Sequence, residues 1–447
     1  MIAVLALAGI GFGLGCHPDT VSESMEFREA KEVVFNWYSL LLDLEQNTPG
    51  YRPPVSGRMF AYVGITAYEA ALPALQGYLQ VSGYFPGYVC PDRSGLSANG
   101  NFYLPASLNA AYAEIVRQFF PTAPPHLQER IFLLEAEWNK RLAERAHESV
   151  CRQSSAFGKS VAYRVWHWSR TDSLGHDGYL FNYDRHYTSP SGPGLWQPGG
   201  QHPMPALLPH WGKVRTFVVS PADIAVRPPT PYDERPGSAF YTEAMEVFTI
   251  SRPLSRENKW IAEFWSDDIP GLTVSPAGRW IAIANQLFQL KQPFLPELLG
   301  AYLRLGLGLS DALTICWNKK YQYNLIRPEQ YIRQFIQPGW RPLHENPSFP
   351  GYPSGHSAAG AVAAEILAAT LGDVLKFTDR THQNRKEFHG EPRTYNSFAE
   401  MANENAFSRV ALGVHFRMDC EEGLRLGRSI GKRVLALPLN RDGVLAN

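Results

Sequence analysis

The sequence predicts an all-α protein, with a helical-bundle body that carries one long irregular tract. Apolar residues recur at helical spacing along most of the chain, whereas the alternating pattern of a half-buried strand is scarce. The chain has 447 residues, of which 45% are hydrophobic and 13% aromatic, so it can bury one large core or two medium ones.

Helical periodicity is interrupted by a segment rich in proline, glycine and tyrosine, from about residue 172 to 236. The predicted helices before it span residues 24–46, 57–78, 105–120 and 125–170, and the last of these should be two helices. Those after it span residues 239–248, 255–265, 276–290, 295–325, 353–371, 398–411 and 414–435. We therefore divide one compact unit into an N-terminal helical half (17–171), the tract (172–236) and a C-terminal helical half (237–447).

The tract is much longer than an ordinary connection inside a compact domain. A segment of this kind is usually functional or lies over the surface of the protein. Its aromatic residues, which include Trp196 and Trp211, argue against disorder, because disordered segments are poor in aromatic residues. We expect an ordered tract that packs against the helices.

Residues 1–16 predict a signal peptide of lipoprotein type. Small and apolar residues fill positions 1–15, a run too short to span a bilayer, and Cys16 follows. The expected destination is outside the cytoplasm, as a periplasmic protein, an outer-membrane-anchored lipoprotein or a secreted protein. No other stretch reaches about 18 uncharged apolar residues, so we expect no transmembrane domain.

The charge balance argues against a polyanionic partner. Lysine and arginine together number 42, as do aspartate and glutamate, and no long basic run occurs. Nucleic acids and anionic membrane surfaces are bound by concentrated positive charge. We therefore expect neither as a partner.

The segment Phe349–Ser357, Phe-Pro-Gly-Tyr-Pro-Ser-Gly-His-Ser, is the strongest candidate for chemistry. Its prolines and glycines exclude regular structure up to about Gly355, and the small apolar residues that follow favour a helix. Ser354, Gly355 and His356 are thus expected at a helix N-terminus, where free N–H groups and the helix dipole favour an anion. The alternative is a plain Pro-Gly turn with a serine cap.

Two further blocks supply charged groups. Lys320 and Arg327 are seven residues apart, nearly two helical turns, so they should project from one helix face toward one anion. Pro328 disfavours a helical conformation for the residue before it, which predicts Arg327 at the end of that helix. His415 and Asp419 are four residues apart and should share a face, so the carboxylate can accept from one ring nitrogen and leave the other free.

Arg409 fits this picture only with a change of chain direction. Six residues separate it from His415, which places the two about 120° apart on one straight helix. The sequence therefore predicts a helix break near Gly413, or a long side chain that curls round the helix.

Together, the three blocks resemble a known set of signatures. Lys-x6-Arg-Pro, Pro-Ser-Gly-His and Ser-Arg-x5-His-x3-Asp are the motifs of the superfamily that joins vanadium-dependent haloperoxidases to type 2 phosphatidic acid phosphatases and bacterial acid phosphatases. All three occur here in order, between Lys320 and Asp419. Weaker similarity to exported bacterial haloperoxidases extends over most of residues 190–435. The resemblance implies a body of two four-helix bundles.

The resemblance also implies a vanadate cofactor. A ring nitrogen of His415 would bind the vanadium, with Asp419 orienting the ring. The oxygens of vanadate would be held by Lys320, Arg327, Ser354, Gly355 and Arg409. His356 would act as general acid and base toward hydrogen peroxide, and Lys320 would activate the bound peroxide by withdrawing charge.

Two aromatic residues match positions that line the approach of the halide in haloperoxidases. Trp317 lies three residues before Lys320, and Phe349 lies seven before His356. The implied reaction oxidises a halide with hydrogen peroxide to hypohalous acid, which then reacts with small organic acceptors. We expect iodide, the easiest halide to oxidise, with bromide as the second candidate.

Two other functions fit the same residues. The rival is an acid phosphatase in which His415 is the nucleophile and His356 protonates the leaving group, because a five-coordinate vanadate resembles the transition state of phosphoryl transfer. The chain length and the two aromatic positions favour the haloperoxidase. The third candidate is a surface lipoprotein that only binds phosphate, which would leave two histidines and an aspartate without a role.

The cysteines allow a disulfide framework in an exported protein. Beyond Cys16 they are Cys90, Cys151, Cys316 and Cys420, which permit three pairings. Because Cys316 lies one turn before Lys320 and Cys420 follows Asp419, the site should bring the two thiols together. A Cys316–Cys420 bridge is therefore our hypothesis, and buried free cysteines are the alternative.

Overall fold

The computed structural model describes residues 23–97, 100–199 and 203–441 of the chain. Its fourteen α-helices and a single two-stranded hairpin in that part confirm the predicted all-α class. The predicted signal peptide at residues 1–16 lies outside the described residues.

The N-terminal half contains five long helices. They are α1 (Met25–Asn47), α2 (Pro53–Ala71), α3 (Leu104–Phe119), α4 (Pro125–Ala143) and α5 (Glu148–Arg170). The split between α4 and α5 confirms that residues 125–170 form two helices. Local signals set several of these ends: the Ser24 hydroxyl accepts from the Phe27 amide to begin α1, and proline occupies the first turn of α2.

The described part of the tract, residues 172–199 and 203–236, is irregular apart from the short helix α6 (Ser173–His176) and one 3₁₀ turn at Trp211–Lys213. A buried carboxylate fixes its middle. Asp311 accepts hydrogen bonds of 2.7–2.9 Å from the amides of Phe217, Val218 and Val219. Trp196 and Trp211 are buried and pack against the helices as expected, whereas Phe181 and Tyr183 are exposed.

Eight helices and the hairpin follow. They are α7 (Ala239–Ser251), α8 (Arg256–Phe264), α9 (Pro276–Lys291), α10 (Leu295–Tyr323), α11 (Pro328–Phe335), α12 (Gly355–Leu371), β1 (Val374–Asp379), β2 (Arg393–Ser397), α13 (Phe398–Leu412) and α14 (Arg417–Leu435). The antiparallel hairpin pairs Phe377 with Tyr395 and Thr378 with Thr394. The sequence did not predict α11 or the hairpin, because an eight-residue helix and a pair of five- to six-residue strands are too short for a clear period.

Helix α10 is the centre of the molecule, and it packs against α2 on one side and α12 on the other. A Cβ on Gly306 would lie 2.5 Å from the carbonyl oxygen of Phe60, so glycine is needed for the close approach of α10 to α2. A Cβ on Gly427 would overlap the carbonyl oxygen of Ala358, which fixes α14 against α12 in the same way. Both contacts set the position of the helix ends that carry the site.

One continuous cluster of buried apolar residues, from Ala30 to Leu439, runs through both predicted halves. The residue boundaries of those halves stay a prediction. Among the described residues, α10 alone is long and apolar enough to cross a membrane, and 94% of its most apolar window is buried inside the protein. That burial is typical of the core helix of a globular fold.

Candidate active site

The three sequence blocks meet where the ends of several helices converge. The C-terminal end of α10, the N-termini of α11 and α12, the end of α13 and the start of α14 surround a cavity of about 450 Å³. Its walls include seven of the predicted site residues, namely Trp317, Arg327, Phe349, Gly355, His356, Arg409 and His415. Lys320, Ser354 and Asp419 are fully buried close behind them.

Lys320 and Arg327 reach the site from opposite sides of a turn, so the prediction that they share one helix face is wrong. Helix α10 ends at Tyr323, and Asn324 follows in the left-handed conformation with φ of 45°. Arg327 is extended and caps the start of α11, with Pro328 as the first helical residue. Proline at that position excludes a helical Arg327 and favours a new helix after it, which turns the chain back toward the site.

Backbone carbonyl groups hold both cations. The Lys320 ammonium donates to the carbonyls of Pro350 (3.0 Å) and Gly351 (2.6 Å). The Arg327 guanidinium donates through Nε to Phe349 (2.9 Å) and through Nη1 to Val414 (2.8 Å). Its third nitrogen, Nη2, is buried and has no hydrogen-bond partner in the part of the chain that the structure describes. The carbonyl groups orient the two cations, and no carboxylate in that part bonds to either of them.

Helix α12 begins as the sequence predicts. The Ser354 hydroxyl accepts from the Ser357 amide (3.3 Å) and hydroxyl (3.0 Å), and the Ser354 amide donates to the carbonyl of Asp419 (2.9 Å). Gly355 is the first helical residue, so its amide has no acceptor within the helix. The Ser354 hydroxyl proton and the Gly355 amide are therefore donors that an anion can use.

His356 and Arg409 contact each other across the cavity. The Arg409 Nη1 lies 3.2 Å from the Nε2 of His356, while its Nε donates to the Ser408 hydroxyl (3.0 Å) and its Nη2 to the carbonyl of Trp265. Because a guanidinium only donates, the His356 Nε2 accepts, and the ring carries its proton on Nδ1.

The turn between α13 and α14 brings His415 to the same cavity. Helix α13 ends at Leu412, and Gly413 takes a φ of 84°, which confirms the predicted break between Arg409 and His415. His415 precedes the first residue of α14, so the prediction that it shares a helix face with Asp419 is wrong. The two still pair: Asp419 Oδ2 accepts from His415 Nδ1 (2.9 Å) and from the Phe416 amide (3.2 Å). This pairing leaves the His415 Nε2 for a ligand.

The charges of the site are crowded and poorly hydrated. Burial, together with the neighbouring cations, holds the pKa of both His356 and His415 well below 6.5. Both rings are therefore neutral at pH 7. Burial also lowers the pKa of Arg327 and of Arg409 to about 10, and it lowers the pKa of Lys320. An anion in the cavity would relieve this repulsion.

Two aromatic rings form one wall. The ring centroids of Trp317 and Phe349 are 4.9 Å apart, with an angle of 46° between the planes. The Lys320 Nζ lies 5.2 Å from the Phe349 centroid, and the Arg327 Cζ lies 5.0 Å from it. The rings therefore cover the cations with apolar surface, which limits their access to water.

Several cavity residues were not singled out from the sequence. They are Arg52, Ser266, Asp267, Asp268, His344 and Glu345. Arg52 belongs to the N-terminal half and pairs with Asp268 at 2.9 Å. Asp267 lies 3.7 Å from Arg279 and 3.3 Å from His382. Ser266 and Asp267 lie in the segment 264–267, which is one of those that carry the weaker similarity to exported bacterial haloperoxidases. The other four lie in no recognisable motif, and only packing brings them to the cavity.

The hypothesis of a disulfide bridge between Cys316 and Cys420 is wrong. All four cysteines of the described residues are free thiols, and Cys316 and Cys420 are buried. The Cys316 Sγ lies 3.2 Å from the carbonyl oxygen of Pro353 and not against a second sulfur. The site brings the two helices close, but it orients the thiols toward different partners.

Comparisons with known proteins agree with this arrangement. Residues 301–439 match a family model described as the VCPO second helical-bundle domain. The chain is 32% identical over 121 residues to a vanadium-dependent bromoperoxidase of Ascophyllum nodosum, an alignment that covers 23% of this chain and 19% of that protein. The chain thus spans about a fifth of that relative's length.

Solved structures extend the similarity to the whole fold. The first bacterial vanadium-dependent iodoperoxidase is 28% identical, with a TM-score of 0.78 over 94% of this chain and 98% of that one. A holo-type bacterial vanadium-dependent chloroperoxidase is 16% identical, with a TM-score of 0.67 over 88% of this chain and 92% of that one, and it supports the fold alone. The predicted resemblance to vanadium-dependent haloperoxidases is confirmed, by sequence in the C-terminal half and by fold over nearly the whole chain.

Proposed function

We propose that this protein is a vanadate-dependent haloperoxidase that oxidises a halide, iodide first and bromide second, with hydrogen peroxide to hypohalous acid. The observation that carries the proposal is the convergence of three buried cations and two neutral imidazoles on one cavity. No carboxylate of the described residues bonds to any of these cations.

The residues fit a tetrahedral oxyanion of the size of vanadate. Lys320, Arg327 and Arg409 offer positive charge, and the unpartnered Nη2 of Arg327 is a buried donor that lacks an acceptor. The Ser354 hydroxyl and the Gly355 amide add two neutral donors. The His415 Nε2 is the ligand for the metal, because Asp419 holds the proton of the same ring at Nδ1.

When bound, vanadate supplies a Lewis-acidic centre that makes hydrogen peroxide electrophilic without a change in the metal's oxidation state. His356 supplies the base. Its Nε2, which accepts from Arg409 in the structure, would take a proton from hydrogen peroxide and would later return a proton to the oxygen that leaves as water. Lys320 withdraws electron density from the reacting oxygens. The overall reaction consumes one halide, one hydrogen peroxide and one proton, and releases hypohalous acid and water.

The choice of iodide draws on the structural relative named as an iodoperoxidase, which is 28% identical over nearly the whole fold. Iodide is also the halide that is easiest to oxidise. The hypohalous acid would then react with small organic acceptors. Export by the leader at residues 1–16 is part of the same proposal, because a diffusible oxidant is best produced outside the cell.

A phosphatase remains the second candidate, because the same donors fit a phosphoryl group and a free His415 Nε2 is also a nucleophile. The test reconstitutes the purified protein with vanadate and measures oxidation of iodide, bromide and chloride beside hydrolysis of a phosphate ester. Oxidation of iodide supports the proposal. Turnover of the ester without any halide oxidation contradicts it.

Two neighbouring lysines provide a matched pair of variants. Lys320→Ala removes a buried ammonium of the site and should reduce iodide oxidation by at least about 100-fold. Lys319→Ala removes a cation that donates to Gln322 on the exposed side of the same helix, and it should leave the rate within about twofold. Equal loss in both variants would mean that Lys320 has no special role.

A further inference from the structure

His344 is a third imidazole in the wall of the cavity, and the proposed reaction gives it no role. It lies in the irregular segment between α11 and α12, and it lines the cavity beside His356, Arg409 and His415. The sequence offered no signal for it, because it stands outside the three blocks and has no ligand-like spacing.

The backbone around His344 is held in place by the same turn that carries the site. The Leu343 amide donates to the carbonyl of Leu412 at 2.9 Å. A Cβ on Gly413 would lie 2.9 Å from the ring of Trp340, so that ring packs directly on the glycine turn. The Trp340 Nε1 also donates to the Ser251 hydroxyl at 3.2 Å. His344 therefore has a fixed position relative to Arg409 and His415.

The His344 ring is neutral and incompletely bonded. Burial, and then the charge of Arg409, lowers the pKa of His344 below 6.5, with Glu263 opposing the shift. A neutral imidazole has one N–H donor and one acceptor nitrogen. The Nε2 of His344 is buried and has no hydrogen-bond partner among the described residues. A buried polar atom without a partner is uncommon in folded proteins and calls for a ligand or water.

The surroundings favour a small monovalent anion. Arg409 supplies a positive charge, and Trp317 and Phe349 supply polarisable apolar surface on the same cavity. Three carboxylates line that cavity: Asp268 pairs with Arg52, Asp267 lies near Arg279, and Glu345 is exposed to solvent, which screens its charge. A weakly hydrated halide loses little on leaving water for such a wall.

We propose that His344 binds the halide, by donating its ring N–H to the anion beside Arg409, and so positions it for attack. This inference rests on the proposed halide oxidation. The hydrogen bond of a neutral ring is weaker than that of a cation, so the halide is held and can still react.

The first test locates the anion without turnover. Crystals of the protein loaded with phosphate at the oxyanion site are soaked in iodide, and the anomalous signal is mapped. We expect an iodide peak within hydrogen-bond distance of His344 in the wild type, its absence in His344→Phe and its retention in His344→Gln, which keeps an N–H donor. A wild-type map with no iodide at His344 overturns the inference, whatever the variants do.

The second test separates binding from chemistry in the vanadate-loaded enzyme. His344→Phe should raise the KM for iodide by about tenfold, the loss of one hydrogen bond to an ion, with kcat and the KM for hydrogen peroxide unchanged. His344→Gln, which keeps an N–H donor, should have a KM for iodide close to that of the wild type. His210→Phe, at an exposed histidine paired with Asp184, is the control and should leave all three constants unchanged.

The two tests distinguish this inference from the proposed function. Iodide at His344 in an enzyme that oxidises no halide would contradict the proposed function alone. Halide oxidation with an unchanged KM for iodide in His344→Phe would contradict the role of His344 alone. A fall in vanadate retention and kcat together with a rise in both KM values would assign His344 a merely structural role, and it too would overturn the inference.

Discussion

Replacing Arg327 by methionine should weaken oxyanion binding far more than it weakens the fold. The Arg327 side chain is fully buried, and burial lowers its pKa from 12.5 to about 10, which corresponds to roughly 3 kcal/mol of unfavourable charge burial. Its bonds to the carbonyls of Phe349 and Val414 offset that cost, at about 1.5–3 kcal/mol each. Methionine removes both contributions, so we expect the free energy of unfolding to fall by at most about 3 kcal/mol.

The loss of oxyanion affinity in Arg327→Met has no compensating gain of this kind. Nη2 of Arg327 is the free donor of the site, and a charge-assisted hydrogen bond contributes about 1.5–3 kcal/mol, or roughly 10- to 150-fold in Kd. Vanadate at 100 times the wild-type Kd stabilises the wild type by about 2.7 kcal/mol, whereas a 30-fold weaker variant gains only about 0.9 kcal/mol.

The assay is a vanadate titration followed by thermal unfolding, with phosphate as a second ligand. Arg341→Met is the control, because Arg341 is a half-exposed arginine whose guanidinium pairs with Glu329 at 2.9 Å. Its vanadate-dependent shift in Tm should equal that of the wild type. An Arg327→Met protein that is folded and binds vanadate within about threefold of the wild type would refute the reasoning.

Three other predictions follow from the described residues. His415→Ala should retain no vanadium after gel filtration, because it removes the ring nitrogen that would bind the metal, and wild-type vanadium content would contradict that role. Burial raises the pKa of Glu45 to about 7, so the folded state holds a proton that the unfolded state has released, and stability should fall by roughly 3 kcal/mol as the pH rises from about 4.5 to 7. In urea unfolding at pH 5 and 7.5, Glu45→Gln should remove that part of the fall and Glu32→Gln, at a surface ion pair, should not. The Cys316 and Cys420 thiols should react with a thiol reagent only after unfolding, with or without prior reduction, and a disulfide-linked peptide would contradict the free thiols.

The helices and the identity of the site were accessible from the sequence because their signals are local. Proline, glycine and serine set the start of α12 at Gly355, and glycine set the end of α13 at Leu412. Spacing also identified the pairing of His415 with Asp419. Spacing could not show that the pair lies at the start of a helix instead of on one helix face. Side chains four residues apart can meet in either arrangement.

Errors arose where short elements or turns were involved. The seven-residue spacing of Lys320 and Arg327 predicts one continuous helix. Instead, Asn324 takes a left-handed conformation and Pro328 begins a new helix. The hairpin at residues 374–397 was missed because two short strands carry little periodicity. The proposed disulfide failed for another reason, since nearby helices do not fix the direction in which a thiol points.

The sequence by itself determined which chemical groups this protein has, that Ser354, Gly355 and His356 lie at the start of α12, and that the chain turns at Gly413, because capping, proline and glycine act over a few residues. Only the tertiary structure decided that these groups face one cavity, that Arg327 keeps a free donor there, and that His344 joins them. The reason is that these relations depend on the packing of α10 between α2 and α12, through contacts between residues that are distant in the sequence, such as Gly306 with Phe60 and Gly308 with Val362.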